Sequence, residues 1–361
     1  MSAEKAGLEC RPAEETPHEP DFFSVQTYQY DLPQEQIAQV PVSPRDSCRL
    51  MTLDRRTGRV GHKVFRDLLD LLRPDDLLVR NDTRVLAGRL TGRKISGTAE
   101  VEVLLLRQEK ENTWQALVRP GRRLPPGTEV DLQGAIAVVG PSISDDGVRL
   151  VTFSEGLDVK VWCDLHGQMP LPPYITSRES KNDDYQTVYA KDANSAAAPT
   201  AGLHFTEGLL AAIREKGVQI LDVTLEVGLG TFRPVSEPDI RRHVMHSERC
   251  RVPAATLEAI RAAKSTGRRV IAVGTTVVRT LEGLWSTGKV DDRWFETQLF
   301  IYPGFHYQVV DGLITNFHLP GSTLMMLVSA FGGYEPVMAA YREAVAKGYR
   351  FFSFGDAMFI V

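Results

Sequence analysis

The chain of 361 residues is 43% hydrophobic and 24% charged, close to the average of globular proteins, and its length suits two or three domains. Its most apolar stretch, Leu324 to Ala330, is far shorter than the roughly 20 residues of a membrane-spanning helix, and its formal net charge of −4 excludes a uniformly basic surface. The four scattered cysteines contain no CxxC pair, so neither a zinc ribbon nor an iron–sulfur site is indicated. No secretory signal opens the chain, so we expect a cytoplasmic protein without a membrane partner.

The chain begins with a polar tail that leads into a first α/β segment. Residues 1–20 mix charges, prolines and small side chains without an apolar period, which predicts a disordered tail. The spacing of apolar residues over 21–87 predicts the start of an α/β module. Its expected elements are a short helix around Gln34 to Gln39, a strand over Arg49 to Asp54, a helix over Val64 to Leu72 and a buried strand over Leu77 to Val79.

The period of the apolar residues changes to two over residues 88–156. Val101, Val103 and Leu105 alternate with polar residues, and turn signals such as Pro120-Gly121 separate the runs. This pattern predicts a small all-β, barrel-like module that is inserted into the α/β module.

Predicted strands and helices alternate over residues 157–361, the second part of the α/β module. The strands are expected at Val218 to Val227, Arg269 to Val273, Leu299 to Tyr302, Leu313 to Phe317, Phe351 to Phe354 and Ala357 to Val361. The helices are expected at Thr206 to Lys216, after Pro253, and at Thr275 to Trp285, Ser322 to Phe331 and Glu335 to Lys347. This order predicts an α/β fold with a mixed, partly parallel sheet and covering helices.

Three strand ends in this second part carry glycines and hydroxyl residues that lead into a helix or a loop. They are "RVIAVGTTVVRTLE" (269–282), "DVTLEVGLGTFRPV" (222–235) and "GLITNFHLPGSTLMMLVSAFGG" (312–333). Ligands of α/β sheets bind where strand ends meet helix N-termini, so these segments are candidate binding loops. Each is also compatible with an ordinary turn and helix cap. Neither a dinucleotide fingerprint nor a P-loop occurs.

Candidate acid–base residues lie in and near these loops. His204 and His318 each stand beside small residues where a loop enters a helix, which favours a functional role over that of a core histidine. The stretch "HVMHSE" places His243, His246 and Glu248 together, but its spacing is not that of zincins and no third ligand is indicated. We therefore expect no metal site and interpret His246 and Glu248 as candidate general acid–base groups.

Arginines concentrate around the predicted β module. Arg84 and Arg89 lie on the segment that leads into it, and Arg119, Arg122 and Arg123 lie on its "VRPGRR" turn. They are either a solvated hairpin or phosphate contacts for a nucleic acid.

A series of motifs, in one order across Tyr28 to Val361, resembles a known family. The motifs are "YDLPQEQIAQVP", "SCRLM", "NDTRV", "MPLPPYI", "YQTVYA", "AAAPTAGLHFT", "VGLGTFRPV", "HVMHSE", "VIAVGTTVVRTLE", "ITNFHLPGSTL" and "YRFFSFGDAM". The family that they resemble is that of the S-adenosylmethionine:tRNA ribosyltransferase-isomerases of bacterial queuosine synthesis. The resemblance also implies an α/β module with an inserted all-β module.

The resemblance implies an enzyme that transfers and isomerises the ribosyl part of S-adenosylmethionine (SAM). The acceptor would be 7-aminomethyl-7-deazaguanine at the wobble position of a tRNA, and the products would be epoxyqueuosine-tRNA, adenine and methionine. SAM would be a co-substrate, no cofactor would be bound permanently, and we expect a monomer. A base would remove a C5′ proton that the sulfonium makes acidic, after which adenine leaves and the amine of the modified base attacks.

The residues and the resemblance together give a set of candidate site residues. The candidate catalytic residues are His204, Glu226, His246, Glu248 and His318. The candidates for binding SAM or the base are Ala197, Thr200, Gly202, Gly228, Gly230, Thr231, Gly274, Thr275, Thr276, Arg279, Asn316 and Thr323. The candidate tRNA contacts are Arg84, Arg89, Arg119, Arg122 and Arg123. The small residues from Ala196 to Gly202 would let the backbone approach a flat base closely, with His204 at its edge.

The chain departs from the family pattern at three positions. Glu226 stands where histidine is usual before "VGLGTF", Val277 where serine is usual after Gly-Thr-Thr, and Asp184 where arginine is usual before "YQTVYA". Glu226 matters most, because a glutamate can act as a base but a role specific to histidine cannot be carried over. Two other classes stay open: a SAM-dependent RNA methyltransferase, which would release S-adenosylhomocysteine, and a non-catalytic RNA-binding protein, which would release no adenine.

Overall fold

The computed structural model describes residues 20–144, 147–177, 182–191, 193–228, 235 and 237–361. The tail predicted over 1–20 lies, apart from Pro20, outside the described residues. The strands are β1 (Arg49–Leu53), β2 (Val60–Val64), β3 (Leu77–Asn81), β4 (Arg84–Val85), β5 (Arg89–Lys94), β6 (Glu100–Lys110), β7 (Thr113–Arg119), β8 (Thr128–Leu132), β9 (Ala135–Ser142), β10 (Val148–Phe153), β11 (Ala193–Ser195), β12 (Gln219–Glu226), β13 (Glu248–Arg251), β14 (Val270–Val273), β15 (Phe295–Thr297), β16 (Gly312–Asn316) and β17 (Ala357–Ile360). The α-helices are α1 (Leu68–Leu71), α2 (Val159–His166), α3 (Glu207–Glu215), α4 (Ala254–Ser265), α5 (Thr275–Ser286), α6 (Thr323–Gly332) and α7 (Tyr334–Ala346).

Nine of the described strands form one mixed sheet in the spatial order β15-β13-β12-β3-β14-β16-β17-β1-β2. The central strands β12, β3, β14 and β16 are parallel, and every residue of β3, β14 and β16 is buried. A parallel sheet is covered on both faces, which explains why β14 reads Val-Ile-Ala-Val rather than alternating between apolar and polar residues.

Helices cover the two faces of this sheet. Leu77 and Val79 of β3 pack in the core cluster that contains residues of α4 to α7. Leu78, between them, packs on the other face with Leu68 of α1 and Leu210 of α3. Successive side chains of a strand point to opposite faces, so this one strand contributes to both cores. Burial of each such leucine stabilises the fold by roughly 1.5–3 kcal/mol.

The parallel strands end together at one edge of the sheet. Val273, the last residue of β14, pairs with Ile314 on one side and with Arg80 on the other. The amide of Gly274 then donates to the carbonyl of Ile314 at 2.8 Å. The loops that follow β3, β14 and β16 therefore meet at this carboxyl edge, where α/β sheets bind their ligands.

Strands β5 to β10 form a closed antiparallel barrel in the order β10-β7-β6-β5-β8-β9. Its core surrounds the buried Trp114. Closure leaves none of these strands with an unpaired edge, which suits a small inserted module. The predicted fold class, a mixed, partly parallel sheet with covering helices and an inserted all-β barrel-like module, is confirmed. The domain limits 21–87 with 157–361, and 88–156, stay a prediction.

Two of the predicted strands are absent from the described sheets, and each gap adjoins the site described below. Leu299 to Tyr302 forms no strand, and β15 is the edge strand instead. The carbonyl of Leu299 accepts a hydrogen bond from Arg279 Nε at 3.1 Å rather than from a neighbouring strand. Phe351 to Phe354 forms a turn, in which Phe352 has a φ of +70°. The apolar pattern of a segment does not show whether its backbone forms hydrogen bonds with a neighbouring strand, with a side chain or within a turn.

The barrel is packed too tightly at Gly92 to admit a side chain. A Cβ atom there would lie 2.0 Å from the carbonyl oxygen of Asp131 on β8, which is backbone and cannot rotate away. We expect Gly92→Ala to lower the free energy of unfolding by about 1–3 kcal/mol, as overpacking does elsewhere. Urea denaturation followed by circular dichroism measures this loss. Gly97→Ala is the matched control, because a Cβ there has no neighbour within 4 Å; equal losses in the two variants would contradict the packing argument.

Candidate functional site

Two adjoining pockets lie at the carboxyl edge of the parallel strands, and Leu324 lines both. The amide pocket, named after Asn316, is lined by Tyr174, Ala198, Pro199, Thr200, Ala201, Val227, Gly274, Thr275, Thr276, Thr315, Asn316, Phe317, His318, Leu319, Pro320, Ser322, Leu324, Phe352 and Ser353. The arginine pocket, named after Arg279, is lined by Gly228, His243, Met245, His246, Glu248, Arg279, Leu299, Phe300, Ile301, Thr323, Leu324 and Leu327. Eleven of the seventeen predicted catalytic and SAM- or base-binding residues line one of these pockets.

The first turn of α5 lines the amide pocket. Gly274 precedes it with a φ of +92°, in the left-handed region that favours glycine. Within the described residues no side chain caps this helix, and the hydroxyl of Thr276 is buried without a hydrogen-bond partner. The turn therefore offers backbone N–H groups and a hydroxyl to a ligand.

The side-chain amide of Asn316 is held from two directions. Its Nδ2 donates to the carbonyl of Phe352 at 2.9 Å and lies 3.0 Å from Nε2 of His204. Its Oδ1 accepts from the hydroxyl of Thr200 at 3.3 Å. Since both amide hydrogens have partners, the orientation of the amide is determined, and Oδ1 stands beside Thr200 at the pocket wall.

His204 lies behind Asn316 and lines neither pocket. Burial, together with the charges of Arg45 and Arg350, lowers the pKa of His204 to about 3, so its ring is neutral at pH 7. Because Nε2 accepts from Asn316, the ring proton lies on Nδ1, which is 3.2 Å from Sγ of Cys48. This placement favours a positioning role for His204 over the direct acid–base role and the contact with a base edge that the sequence suggests.

His318 lines the amide pocket directly. Its Nε2 lies 2.8 Å from the hydroxyl of Thr315, and its backbone N–H donates to the hydroxyl of Tyr341 at 3.1 Å. The hydroxyl of Tyr30 donates to its carbonyl. Burial lowers the pKa of His318 to about 3, so this ring too is neutral at pH 7.

The arginine pocket contains a buried ion pair. Nη1 of Arg279 on α5 donates to the carboxylate of Glu248 on β13, and both side chains are less than a tenth exposed. His246 is exposed and lines the same pocket. His243, whose pKa is lowered by burial and by the nearby His246, packs edge-on against Phe300.

Glu226 lies at the end of β12 and lines neither pocket. Its carboxylate is 3.9 Å from Nη1 of Arg249 on the neighbouring strand. Burial raises the pKa of Glu226, and the charges of Arg249, Arg107 and Lys160 oppose this shift. The departure from the family pattern therefore falls beside the site rather than inside its pockets.

Four of the predicted binding residues are not placed in a pocket. Ala197 packs in a core cluster with Leu225 and Val227. The space beside Gly202 is filled by Tyr189, since a Cβ at position 202 would lie 2.0 Å from the Tyr189 hydroxyl. Gly230 and Thr231 lie outside the described residues. The small residues that line the amide pocket are instead Ala198 and Ala201.

The five predicted tRNA contacts fall into two groups. Arg84 pairs with Asp164 at 3.1 Å, and Arg89 pairs with Glu102 at 3.4 Å. The other three, on the turn after β7, are exposed, and among the described residues none of them forms an ion pair. They are Arg119, Arg122 and Arg123.

The turn that carries these three arginines lies at the far end of the barrel. Arg119, the last residue of β7, lies opposite Glu102 of β6 in the strand register. Arg107, further along β6, lies 3.2 Å from Glu296 of β15 in the large sheet. At ~3.3 Å per residue, the turn is about 17 Å along the strand from this contact.

Comparison with known proteins identifies the family. The family model described as "Queuosine biosynthesis protein" matches residues 25–360. The chain belongs to this family. An S-adenosylmethionine:tRNA ribosyltransferase-isomerase of Heliobacterium modesticaldum is 55% identical over 94% of this chain and 100% of its own length. One of Clostridioides difficile is 52% identical over 92% of this chain and 98% of its own length.

A solved structure supports the queuosine-family fold. The crystal structure of S-adenosylmethionine tRNA ribosyltransferase from Thermotoga maritima is 39% identical, with a TM-score of 0.53, over 93% of this chain and 100% of that chain. The resemblance stated from the motifs is thus confirmed. In the part of the chain that the structure describes, no helix is long and apolar enough to cross a membrane. Across the same residues, no three His, Cys, Asp or Glu side chains are grouped as metal ligands would be.

Sequence reasoning missed several residues that line the amide pocket. Tyr174 and Phe352 face each other at the amide pocket, with ring centroids 4.5 Å apart. The hydroxyl of Tyr174 lies 2.7 Å from that of Ser353. The motifs "MPLPPYI" and "YRFFSFGDAM" contain all three, so the resemblance pointed to the segments, but no spacing joins residues almost 180 positions apart.

The two buried histidines of the site make the stability of this protein sensitive to acid. The pKa values of His204 and His318 are about 3 in the folded protein and about 6.5 in an unfolded chain. Between these values the unfolded state binds more protons than the folded state. The two histidines therefore contribute their full share of the free energy of unfolding above about pH 6.5, and this contribution decreases as the pH falls. The loss approaches ~1.4 kcal/mol per pH unit for each histidine.

We expect His204→Gln to lose less stability than the wild type between pH 7 and pH 5.5, because one of the two titrating rings is gone. Urea denaturation at both pH values measures the difference. His306→Gln, at an exposed position, should keep the wild-type dependence on pH. An unchanged dependence in His204→Gln would show that His204 is not the neutral, buried ring described here.

Proposed function

We propose that this protein transfers and isomerises the ribosyl part of SAM onto 7-aminomethyl-7-deazaguanine at the wobble position of a tRNA, giving epoxyqueuosine-tRNA, adenine and methionine. The observation that carries this proposal is the pair of adjoining pockets at the carboxyl edge of the sheet, one largely apolar and one with a buried ion pair. Membership of the queuosine biosynthesis family supports the same chemistry. The tRNA substrate makes the cytoplasm the expected compartment, and a monomer is the expected state.

The amide pocket suits a flat nucleobase. The rings of Tyr174 and Phe352 provide aromatic surface, and the fixed amide of Asn316 provides a polar group at the wall. Such a pocket binds by apolar contact and uses a few positioned polar groups for orientation. The adenine of SAM is the base that we assign to this pocket. The wobble base lies in a single-stranded loop, so it can be unstacked and brought to the same edge of the sheet at modest cost.

The geometry divides the five candidate catalytic residues by role. His318 and His246 line the pockets and are the residues that we place at the reacting groups. The ring of His318 is neutral over the whole physiological range, but a pKa of about 3 makes it a weak base. We therefore assign proton removal to the exposed His246 and a hydrogen bond to the reacting group to His318. His204 positions Asn316, and Glu248 holds Arg279. Glu226 lies outside both pockets, so we assign no proton transfer to it.

The first turn of α5 provides a test of where SAM binds. Thr275 is buried and lines the amide pocket, so Thr275→Leu should place apolar bulk where the ligand lies and raise the Michaelis constant for SAM. The assay incubates the protein with SAM and a tRNA that carries the aminomethyl base, and follows adenine release and the nucleoside mass. Thr287→Leu, at the exposed far end of the same helix, is the matched control.

Each result of this assay has a separate meaning. Release of adenine with the mass of epoxyqueuosine supports the proposed reaction. S-adenosylhomocysteine would instead indicate methyl transfer, and the absence of any product from SAM would indicate a non-catalytic RNA-binding protein. A Michaelis constant that is equal in wild type and Thr275→Leu would show that SAM does not contact the first turn of α5.

We propose that the barrel holds the anticodon stem through its phosphates. Arg119, Arg122 and Arg123 are exposed and form no ion pair among the described residues, so they are able to bind phosphate without losing a partner. Each phosphate contact releases counterions, which makes affinity depend on salt. Arg84 and Arg89 would have to exchange a carboxylate for a phosphate.

The triple change of Arg119, Arg122 and Arg123 to Ala should weaken tRNA binding and leave SAM affinity unchanged. The slope of log affinity against log salt should become flatter by about 0.9 for each lost contact. Filter binding at several salt concentrations measures the slope. Arg241→Ala with Arg293→Ala is the control, because both arginines are already paired with an aspartate. A wild-type slope in the triple variant would show that the turn is only solvated.

A further inference from the structure

Arg279 uses only part of its hydrogen-bonding capacity. Nη1 donates to the carboxylate of Glu248, and Nε donates to the carbonyl of Leu299 at 3.1 Å. Nη2 is buried and has no hydrogen-bond partner among the described residues. A guanidinium presents five N–H donors, so both donors of Nη2 are left without an acceptor.

An unpartnered cationic donor in this position needs an explanation. Buried polar groups of folded proteins almost always have a partner, and a charged group without one is destabilising. The ion pair with Glu248 does not itself justify the burial, because apolar residues often stabilise a core equally well. Arg279 also lines the arginine pocket. A ligand that carries an acceptor into this pocket would therefore complete the guanidinium.

We propose that Nη2 of Arg279 binds the α-carboxylate of SAM, so that the arginine pocket holds the methionine part of the substrate. This inference rests on the proposed function, in which SAM is the co-substrate. Guanidinium groups bind carboxylates through short, charge-assisted hydrogen bonds. The neighbouring Glu248 carboxylate gives the pocket an acidic group beside the basic one, which matches the zwitterionic end of an amino acid.

The place where the two pockets meet fits the remaining parts of SAM, its sulfonium and its nucleoside. Leu324 lines both pockets, and Thr323 beside it lines the arginine pocket. With the amino-acid end at Arg279, the nucleoside end extends towards the amide pocket. The sulfonium and the adjoining C5′ atom, which loses its proton in the proposed reaction, then lie near Leu324, with His318 in the wall of one pocket and His246 in the wall of the other. The assignment thus places the reacting atom where both pockets meet.

The test compares SAM with its decarboxylated analogue, which keeps the sulfonium, the adenosine and the amine but lacks the α-carboxylate. Isothermal titration calorimetry should show that the wild type binds SAM roughly 10- to 100-fold more tightly than the analogue, the range expected for a charge-assisted hydrogen bond. Arg279→Gln should bind the two ligands with nearly equal affinity. The ratio is measured on one protein sample, so it does not depend on the fraction of the variant that is folded.

The controls separate folding from recognition. Removal of Arg279 leaves Glu248 buried without its cation, so Arg279→Lys is a second variant that keeps the charge but loses the planar fork. Its ratio should also fall below that of the wild type. Arg251→Gln, on the same strand as Glu248 but exposed and bonded to the carbonyl of Asp292, should keep the wild-type ratio.

Several outcomes overturn the assignment. Equal affinities of the wild type for SAM and its analogue would do so without any variant. A wild-type ratio in either variant at Arg279 would do so too, and would leave an ordered water as the partner of Nη2. Failure of the wild type to bind SAM at all would refute the proposed function itself, whereas binding of SAM without discrimination refutes only this placement.

Discussion

The common edge at which the buried parallel strands end determines where the site forms. Val273, the last residue of β14, is in register with both Arg80 and Ile314. Strand β16 continues for two more residues, to Asn316, after β14 has ended. That offset brings Gly274 and the first turn of α5 beside Asn316. A slip of one residue would turn every side chain of the strand to the other face, so the apolar cores on both faces maintain the geometry of the site.

Neutral hydrogen-bond partners, rather than charges, organise the amide pocket. His204 and His318 are both buried deeply enough to lose their protons at neutral pH. A neutral imidazole has one donor and one acceptor, so it fixes the orientation of a neighbour such as Asn316 without bringing a charge into an apolar pocket. The left-handed backbone of Phe352 belongs to the same arrangement, because its carbonyl accepts from Asn316. Such conformations persist where the surroundings over-determine them.

The sequence predicts the strand-to-helix junctions better than the contacts between them. Glycine and hydroxyl residues after an apolar run point to the segments of Gly274 and Asn316, which line the amide pocket, since that pattern follows from local backbone chemistry. The partnership of Arg279 with Glu248 joins positions 31 residues apart on a helix and an antiparallel strand, and it needs the fold. Ala197 shows why a small residue in a loop is ambiguous, because it suits a packed core, where the structure places it, as well as a ligand.

The arginines of the barrel differ in what binding would require of them. Arg84 and Arg89 have carboxylate partners, yet these pairs are at least 30% exposed on both sides, and exposed ion pairs contribute only about 0–1 kcal/mol. Exchange of the carboxylate for a phosphate therefore costs little free energy, but the phosphate must already lie close to the arginine. The turn that begins at Arg119 has no such requirement and projects from the far end of the barrel, so it is suited to the first encounter with a polyanion. Under the proposed contact with tRNA, Arg84 and Arg89 would bind a phosphate only after they separate from Asp164 and Glu102, so they follow the unpaired arginines of the turn.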